Sequence, residues 1–131
     1  MKRYFIKINQ GNVHVTEWGN PLKPVIFCLH GLGSSSLSFI EIGEELIDQF
    51  RIVSIDAPGH GKTTAFEKEA DYEMQNIICW ISQVLDALTI DNFYFLSHSW
   101  GSFIALHFLA CYPKRVKGSI LIDGGYQTKR E

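Results

Sequence analysis

The chain is poor in the features that would tie it to a covalent framework, a charged partner or a membrane. Only three of its 131 residues are cysteine, and Cys28, Cys79 and Cys111 follow no regular spacing. An odd, irregular set builds neither a disulfide framework nor a zinc site. Each sits in an apolar run, so all three are expected as buried thiols of a protein in a reducing cytoplasm. An excess of either charge is also lacking: 12 Lys+Arg face 14 Asp+Glu, a net charge of −2, with no basic or acidic block. That balance excludes a nucleic-acid footprint and attachment to an anionic membrane. Long hydrophobic runs are missing too. The basic start Met1-Lys2-Arg3 leads into an apolar stretch already broken at Lys7 and Asn9, so neither a signal-peptide core nor a membrane span is expected.

What is present is a globular composition, 46% hydrophobic and 13% aromatic. The length suits one domain that buries roughly two-thirds of its unfolded surface. Tyr4-Phe5-Ile6-Lys7-Ile8 and Val13-His14-Val15-Thr16-Glu17-Trp18 partly alternate apolar with polar around the turn-rich Asn9-Gln10-Gly11-Asn12. They read as an antiparallel hairpin with one wetter face. Val25-Ile26-Phe27-Cys28-Leu29 is continuously apolar, as is a strand covered on both faces. The same character recurs in Ile52-Val53-Ser54-Ile55, Phe93-Tyr94-Phe95-Leu96 and Ile120-Leu121-Ile122.

Between these four strands lie three segments of helical period. The first places Phe39, Ile42, Gly43, Leu46 and Ile47 on one face. The second places Met74, Ile77, Ile78, Ile81, Val84, Leu85 and Leu88 on one face, with Asp71 as N-cap. The third, residues 102–112, is apolar almost all round and is expected to be the most buried. Strand and helix in alternation predict an α/β fold of about six strands: a mostly parallel sheet, an N-terminal antiparallel hairpin and helices on both faces.

Three strand ends carry glycine-rich turns, and in such a sheet ligands sit at the carboxyl ends of the strands. They are His30-Gly31-Leu32-Gly33, Asp56-Ala57-Pro58-Gly59-His60-Gly61 and Ser97-His98-Ser99-Trp100-Gly101. In the last, an apolar strand turns straight into a helix, which lifts Ser99 to the strand end between the small residues Ser97 and Gly101. Gly61-Lys62-Thr63 fits the end of a phosphate-binding loop. Asp56 stands where that loop requires its first glycine, however, and no helical pattern starts at once after Thr63. His30 and His60 are expected to brace their turns rather than move protons.

In order, spacing and strand context over residues 4–126, these turns resemble the N-terminal part of the α/β-hydrolase fold superfamily, in the broad class of serine esterases, lipases and related acyl hydrolases. The last turn then matches the nucleophile elbow G-x-S-x-G, with Ser97 in place of the first glycine. The resemblance implies Ser99 as nucleophile towards a small acyl substrate, an ester, thioester or amide. It implies main-chain N–H groups of Leu32 and Trp100 as the oxyanion hole, and no metal or cofactor. The Trp100 indole would be a pocket wall or pack against a lid.

The base is the piece not found. The fold orders its triad Ser, then Asp or Glu, then His. After Ser99 the next histidine is His107, about 12 Å along the helix at 1.5 Å per residue. His98 is turned away by the elbow, and His14 lies in the hairpin, remote from the strand ends. Asp123, after the last apolar strand, is a candidate acid, although an aspartate there also suits a turn. The expectation is a single domain over residues 1–131 that is incomplete at its C-terminus, inactive alone, and prone to self-association or to pairing with a missing C-terminal half through an exposed sheet edge. Two alternatives stay open: a catalytically silent ligand-binding module, and a cofactor-free lyase or oxygenase on the same fold.

Overall fold

The computed structural model describes residues 1–122. Strands β1 (Lys2–Ile8) and β2 (Gly11–Trp18) form the expected hairpin, with Ile8 opposite Gly11 and Lys2 opposite Glu17. Four further strands follow: β3 (Val25–Leu29), β4 (Arg51–Ile55), β5 (Phe93–His98) and β6 (Val116–Ile122). They assemble in the order β1-β2-β4-β3-β5-β6. From β4 to β6 every pairing is parallel, and β2 joins β4 antiparallel. Parallel neighbours need crossovers, and the helices supply them. A 3₁₀ turn (Ser36–Phe39) and the short helix α1 (Ile40–Glu45) link β3 to β4. Helix α2 (Met74–Ala87) lies between β4 and β5, and α3 (Trp100–Cys111) between β5 and β6.

Both faces of the sheet are covered, as strands of continuous apolar character require. On one face Phe27, Val53, Phe93 and Phe95 pack in one core with Ile81 and Leu85 of α2 and with Ile104 and Phe108 of α3. On the other, Trp18, Cys28, Ile52 and Leu96 meet Phe39, with Ile42 and Leu46 packed alongside. A methyl group at Gly43 would run into the Trp18 ring, so α1 lies on the sheet at a distance only glycine permits.

Several expectations change. Strand β2 has no wet face: from Val13 to Trp18 every residue is buried, because Val13 and Val15 face the main core while the 3₁₀ turn and α1 pack over Thr16 and Trp18 on the other side. Its polar positions alternate toward buried partners instead of water. Glu17 accepts two hydrogen bonds from Arg51, at 2.9 and 3.2 Å, and one from the Tyr4 hydroxyl. Burial alone would raise the Glu17 pKa, but the Arg51 guanidinium and the Tyr4 hydroxyl outweigh it and hold the carboxyl below its ordinary value.

Helix α3 is not buried all round. Gly101, Ser102, Ile104, Ala105 and Phe108 are inside, while His107, Ala110 and Cys111 face outward. Cys28 is a core thiol as expected, but Cys79 and Cys111 are exposed. Asp71 does not cap α2. It sits in a separate 3₁₀ turn (Glu69–Tyr72) and accepts the Lys68 N–H at 3.1 Å, and Glu73 occupies the N-cap position of α2. Strand β6 is covered on neither face over its last residues, with Ile120 64% exposed. Among the described residues no helix is long and apolar enough to cross a membrane.

Candidate active site

The turn between β5 and α3 places Ser99 in a backbone conformation that side chains avoid, φ 54° and ψ −118°. Among the described residues the other non-glycine residue at positive φ is Thr89. Its cause is local: it follows α2, and the Ile90 N–H returns to the Leu85 carbonyl at 2.9 Å, an ordinary way to stop a helix. Ser99 precedes a helix, so no such stop accounts for it. A non-glycine residue held there costs about 1–3 kcal/mol and persists only where the surroundings over-determine it.

Those surroundings are visible. The Ser99 N–H donates to the Ile122 carbonyl at the end of β6 at 2.9 Å, and its own carbonyl accepts Ser102 N–H at 2.9 Å and Phe103 N–H at 3.3 Å. A Cβ at Gly101 would lie 2.5 Å from the Leu29 carbonyl oxygen, so glycine is required for α3 to start beneath β3. Ser97, in the place of the first elbow glycine, is fully buried and donates its hydroxyl to Ser102 Oγ at 3.1 Å. The Ser99 residue itself is exposed.

The loop after β3 packs directly on this turn. A Cβ at Gly31 would lie 3.1 Å from Ser99 Cβ. Gly31, Leu32, Phe39, Ile42, His98 and Ser99 line one cleft of about 300 Å³, with Ser34, Ser38 and Ile122 completing it. Among the described residues no Lys, Arg, Asp or Glu lines it. As the first residue of α3, Trp100 has an N–H without an acceptor inside the helix. No hydrogen bond of that N–H, or of the Leu32 N–H, occurs among the described residues. Trp100's indole turns away from the cleft and stacks on His60, centroids 5.9 Å apart and planes at 18°. It packs against the turn after β4.

The histidines are engaged as follows. His30 is fully buried. Its Nδ1 bonds the Gly31 carbonyl at 2.6 Å, and its Nε2 accepts the Ala57 N–H at 2.9 Å, a pair of contacts that fixes the tautomer with the proton on Nδ1. Burial pushes its pKa down, and the neighbouring His60 adds to that, so it stays neutral. His60 bonds the Pro58 carbonyl at 3.1 Å. Both therefore brace turns. His107 bonds Phe103 O, one turn back along α3, at 2.9 Å. His98 lines the cleft beside Ser99.

His14 is the correction. It is not remote from the strand ends, because antiparallel β2 carries it to the carboxyl end of β4, where its Nδ1 lies 3.1 Å from Asp56 Oδ2. Asp56 is the residue that sequence reasoning overlooked, having read it only as the start of a turn. Its side chain is 1% exposed and accepts Ser36 N–H at 2.7 Å and Lys62 N–H at 3.0 Å. Burial would raise its pKa, but these N–H donors and His14 reverse the effect and keep it ionised. An acidic residue at a strand end ahead of Pro-Gly was the available signal. Asp123 lies outside the described residues. No group of three or more potential ligands is placed to hold a metal among the described residues.

Known proteins resemble the chain in sequence and in fold. The chain is 30% identical over 113 residues to a human serine hydrolase-like protein, 86% of this chain and 56% of that one. It is 28% identical over 110 residues to mouse epoxide hydrolase 4, 84% of this chain and 31% of that one. In structure it matches a thioesterase domain from the curacin biosynthetic pathway with a TM-score of 0.84 at 27% identity, over 92% of this chain and 45% of that one. An epoxide hydrolase from Vigna radiata shares the fold, with a TM-score of 0.89 at 23% identity over 96% of this chain and 41% of that one. The chain thus spans about half the length of the human relative, and less of the others. Residues 24–130 match the model of the alpha/beta hydrolase fold, and the chain belongs to that family.

Proposed function

We propose that Ser99 is the nucleophile of a serine hydrolase that cleaves an ester, thioester or amide through an acyl-enzyme. The observation that carries this reading is the strained, exposed Ser99 at the strand-to-helix turn. The shared cleft with Leu32 supports it, as do relatives described as serine hydrolase-like and as a thioesterase. Ser99 Oγ attacks the carbonyl carbon, and the developing oxyanion lies against the N–H groups of Leu32 and Trp100. Such donors contribute a few kcal/mol because they already point where charge appears. The alcohol, thiol or amine leaves with the serine proton, and water then cleaves the acyl-serine.

Relatives described as epoxide hydrolases raise the competing chemistry, and the residue itself argues against it. A serine that opened an epoxide would become an alkyl ether, with no carbonyl for water to attack. An acylated serine keeps one.

His14, His30, His60 and His107 are held by other partners. His98 lines the cleft beside Ser99, but the family's chain order, acid and then histidine after the nucleophile, assigns base and acid to polypeptide outside the described residues, docked along the apolar β6 edge: a second copy, or a C-terminal half. On this reading residues 1–131 form one incomplete domain that is inactive alone. The exposed thiols of Cys79 and Cys111, which carry no disulfide, fit a reducing, cytoplasmic setting.

The test is turnover of a short-chain aryl ester by the protein together with its base-bearing half. Ser99→Ala is expected to abolish it with the melting temperature nearly unchanged, and retained turnover would falsify the assignment. Specific ligand binding with no turnover by either protein would instead favour the silent binding module.

A further inference from the structure

The loop that carries Leu32, residues 30–36, is buried at both ends and exposed in the middle. His30 and Ser36 are fully buried, whereas Leu32 is 66% exposed. Each end is tied to β4 or to the turn after it. At the start, His30 Nε2 accepts the Ala57 N–H at 2.9 Å. At the end, Ser36 N–H donates to Asp56 Oδ1 at 2.7 Å, and the Ser36 carbonyl accepts the Ser54 hydroxyl at 2.9 Å. The Ser36 hydroxyl adds a bond to Thr16 on β2 at 2.9 Å.

Asp56 joins these ties. One carboxylate oxygen holds the loop after β3. The other holds its own turn through Lys62 N–H at 3.0 Å, and β2 through His14 Nδ1 at 3.1 Å. A carboxylate bound on both oxygens by groups from three elements cannot rotate without releasing one of them. Glycine makes room for it: a methyl at Gly61 would run into the carboxylate, and Gly61 stands at φ +51°. Because Gly31 packs on Ser99, any slip of the loop alters the spacing between Leu32 and the serine.

We infer that Asp56 is a positioning residue: it fixes the loop 30–36 so that the Leu32 N–H faces the atoms reacting at Ser99. The function of that N–H rests on the nucleophile reading above, but the positioning itself does not.

The experiment compares amide resonances, hydrogen exchange and melting temperature, and, with the base-bearing half added, fluorophosphonate labelling of Ser99, in the wild type, Asp56→Asn, Gly61→Ala and Glu17→Gln. Glu17 is a buried carboxylate on the same sheet whose partners are Arg51 and Tyr4, so its variant controls for lost stability alone. A hydrogen bond to a charged group, once lost, opens the segment about 10- to 100-fold more often. Asp56→Asn is expected to move the Leu32 and Ser36 amide signals, speed exchange across the loop by that factor, and slow labelling about tenfold. Gly61→Ala, which displaces the carboxylate without removing it, is expected to do the same more weakly, and it carries the test if Asp56→Asn does not fold. Glu17→Gln is expected to lower the melting temperature while leaving the loop signals in place. Unmoved Leu32 signals in both loop variants overturn the proposal. Moved signals in a protein whose Ser99 never labels leave the positioning intact and remove the nucleophile.

Discussion

The two ends of the sheet are finished differently. At the β1 end, Lys2, Arg3 and Lys7 stand on the outer strand, a charged edge of the kind that discourages further pairing. Behind it the Tyr4–Glu17–Arg51 cluster and the His14–Asp56 pair satisfy one another. At the β6 end, Ile120, Leu121 and Ile122 are 64, 38 and 37% exposed. Beside them an apolar cleft of about 300 Å³ runs between Ile26, Phe50, Tyr94, Leu96 and Ile120. One end closes on itself through polar bonds. The other presents apolar surface of the kind that marks an interaction site. Ser99 sits toward the open end, with its N–H bonded to the last described residue of β6.

That contrast can be broken at several points. The largest effect is expected where both ends share one core. Phe95 is 1% exposed and packs edge-on against Phe27, Phe93 and Phe108. Phe95→Ala is expected to destabilise by about 3–5 kcal/mol in urea unfolding, and a loss below 1 kcal/mol would mean that this core is not the common support. Next comes the closed end. Arg51→Ala strips Glu17 of its main partner and is expected to cost about 2–3 kcal/mol, less than for a fully enclosed pair because Arg51 stays 15% exposed. A neutral result there would show the polar end to be decoration.

Acid should act on the same end. The pKa values of Asp56 and Glu17 both lie below their ordinary 3.8 and 4.5 in the folded chain. Their contribution is therefore complete above those values and lost as pH falls through the lower folded ones. Asp56→Asn should flatten the stability profile below about pH 4; an unchanged slope would contradict the assignment of an ionised Asp56.

The smallest effect on stability belongs to the open end. Ile120→Lys is expected to change it by less than about 0.5 kcal/mol, yet to abolish the self-association expected of the wild type at high micromolar concentration. A wild type that is already monodisperse and monomeric in light scattering ends the pairing proposal.

The strands and the three motif turns could be read from sequence because their signals are local: apolar runs ended by glycine turns. The placement of Ser99 at the strand end was likewise expected from strand, small residue and helix in succession. Strand β2 was misjudged for the opposite reason. His14, Thr16 and Glu17 find their partners at Asp56, Ser36 and Arg51, and no local pattern distinguishes a polar residue facing water from one facing a distant partner. The same gap hid Asp56 as a hub. Cys79 and Cys111 were expected inside because apolar runs surround them, but which side of a helix is covered depends on neighbours that only the assembled sheet supplies.

The most direct test of the account is the mass spectrum of the 131-residue chain, combined with its base-bearing half, after incubation with a fluorophosphonate. A single adduct confined to Ser99 and absent from Ser99→Ala is the predicted result. A combined protein that takes up no probe, or takes it up equally at other serines, would contradict it.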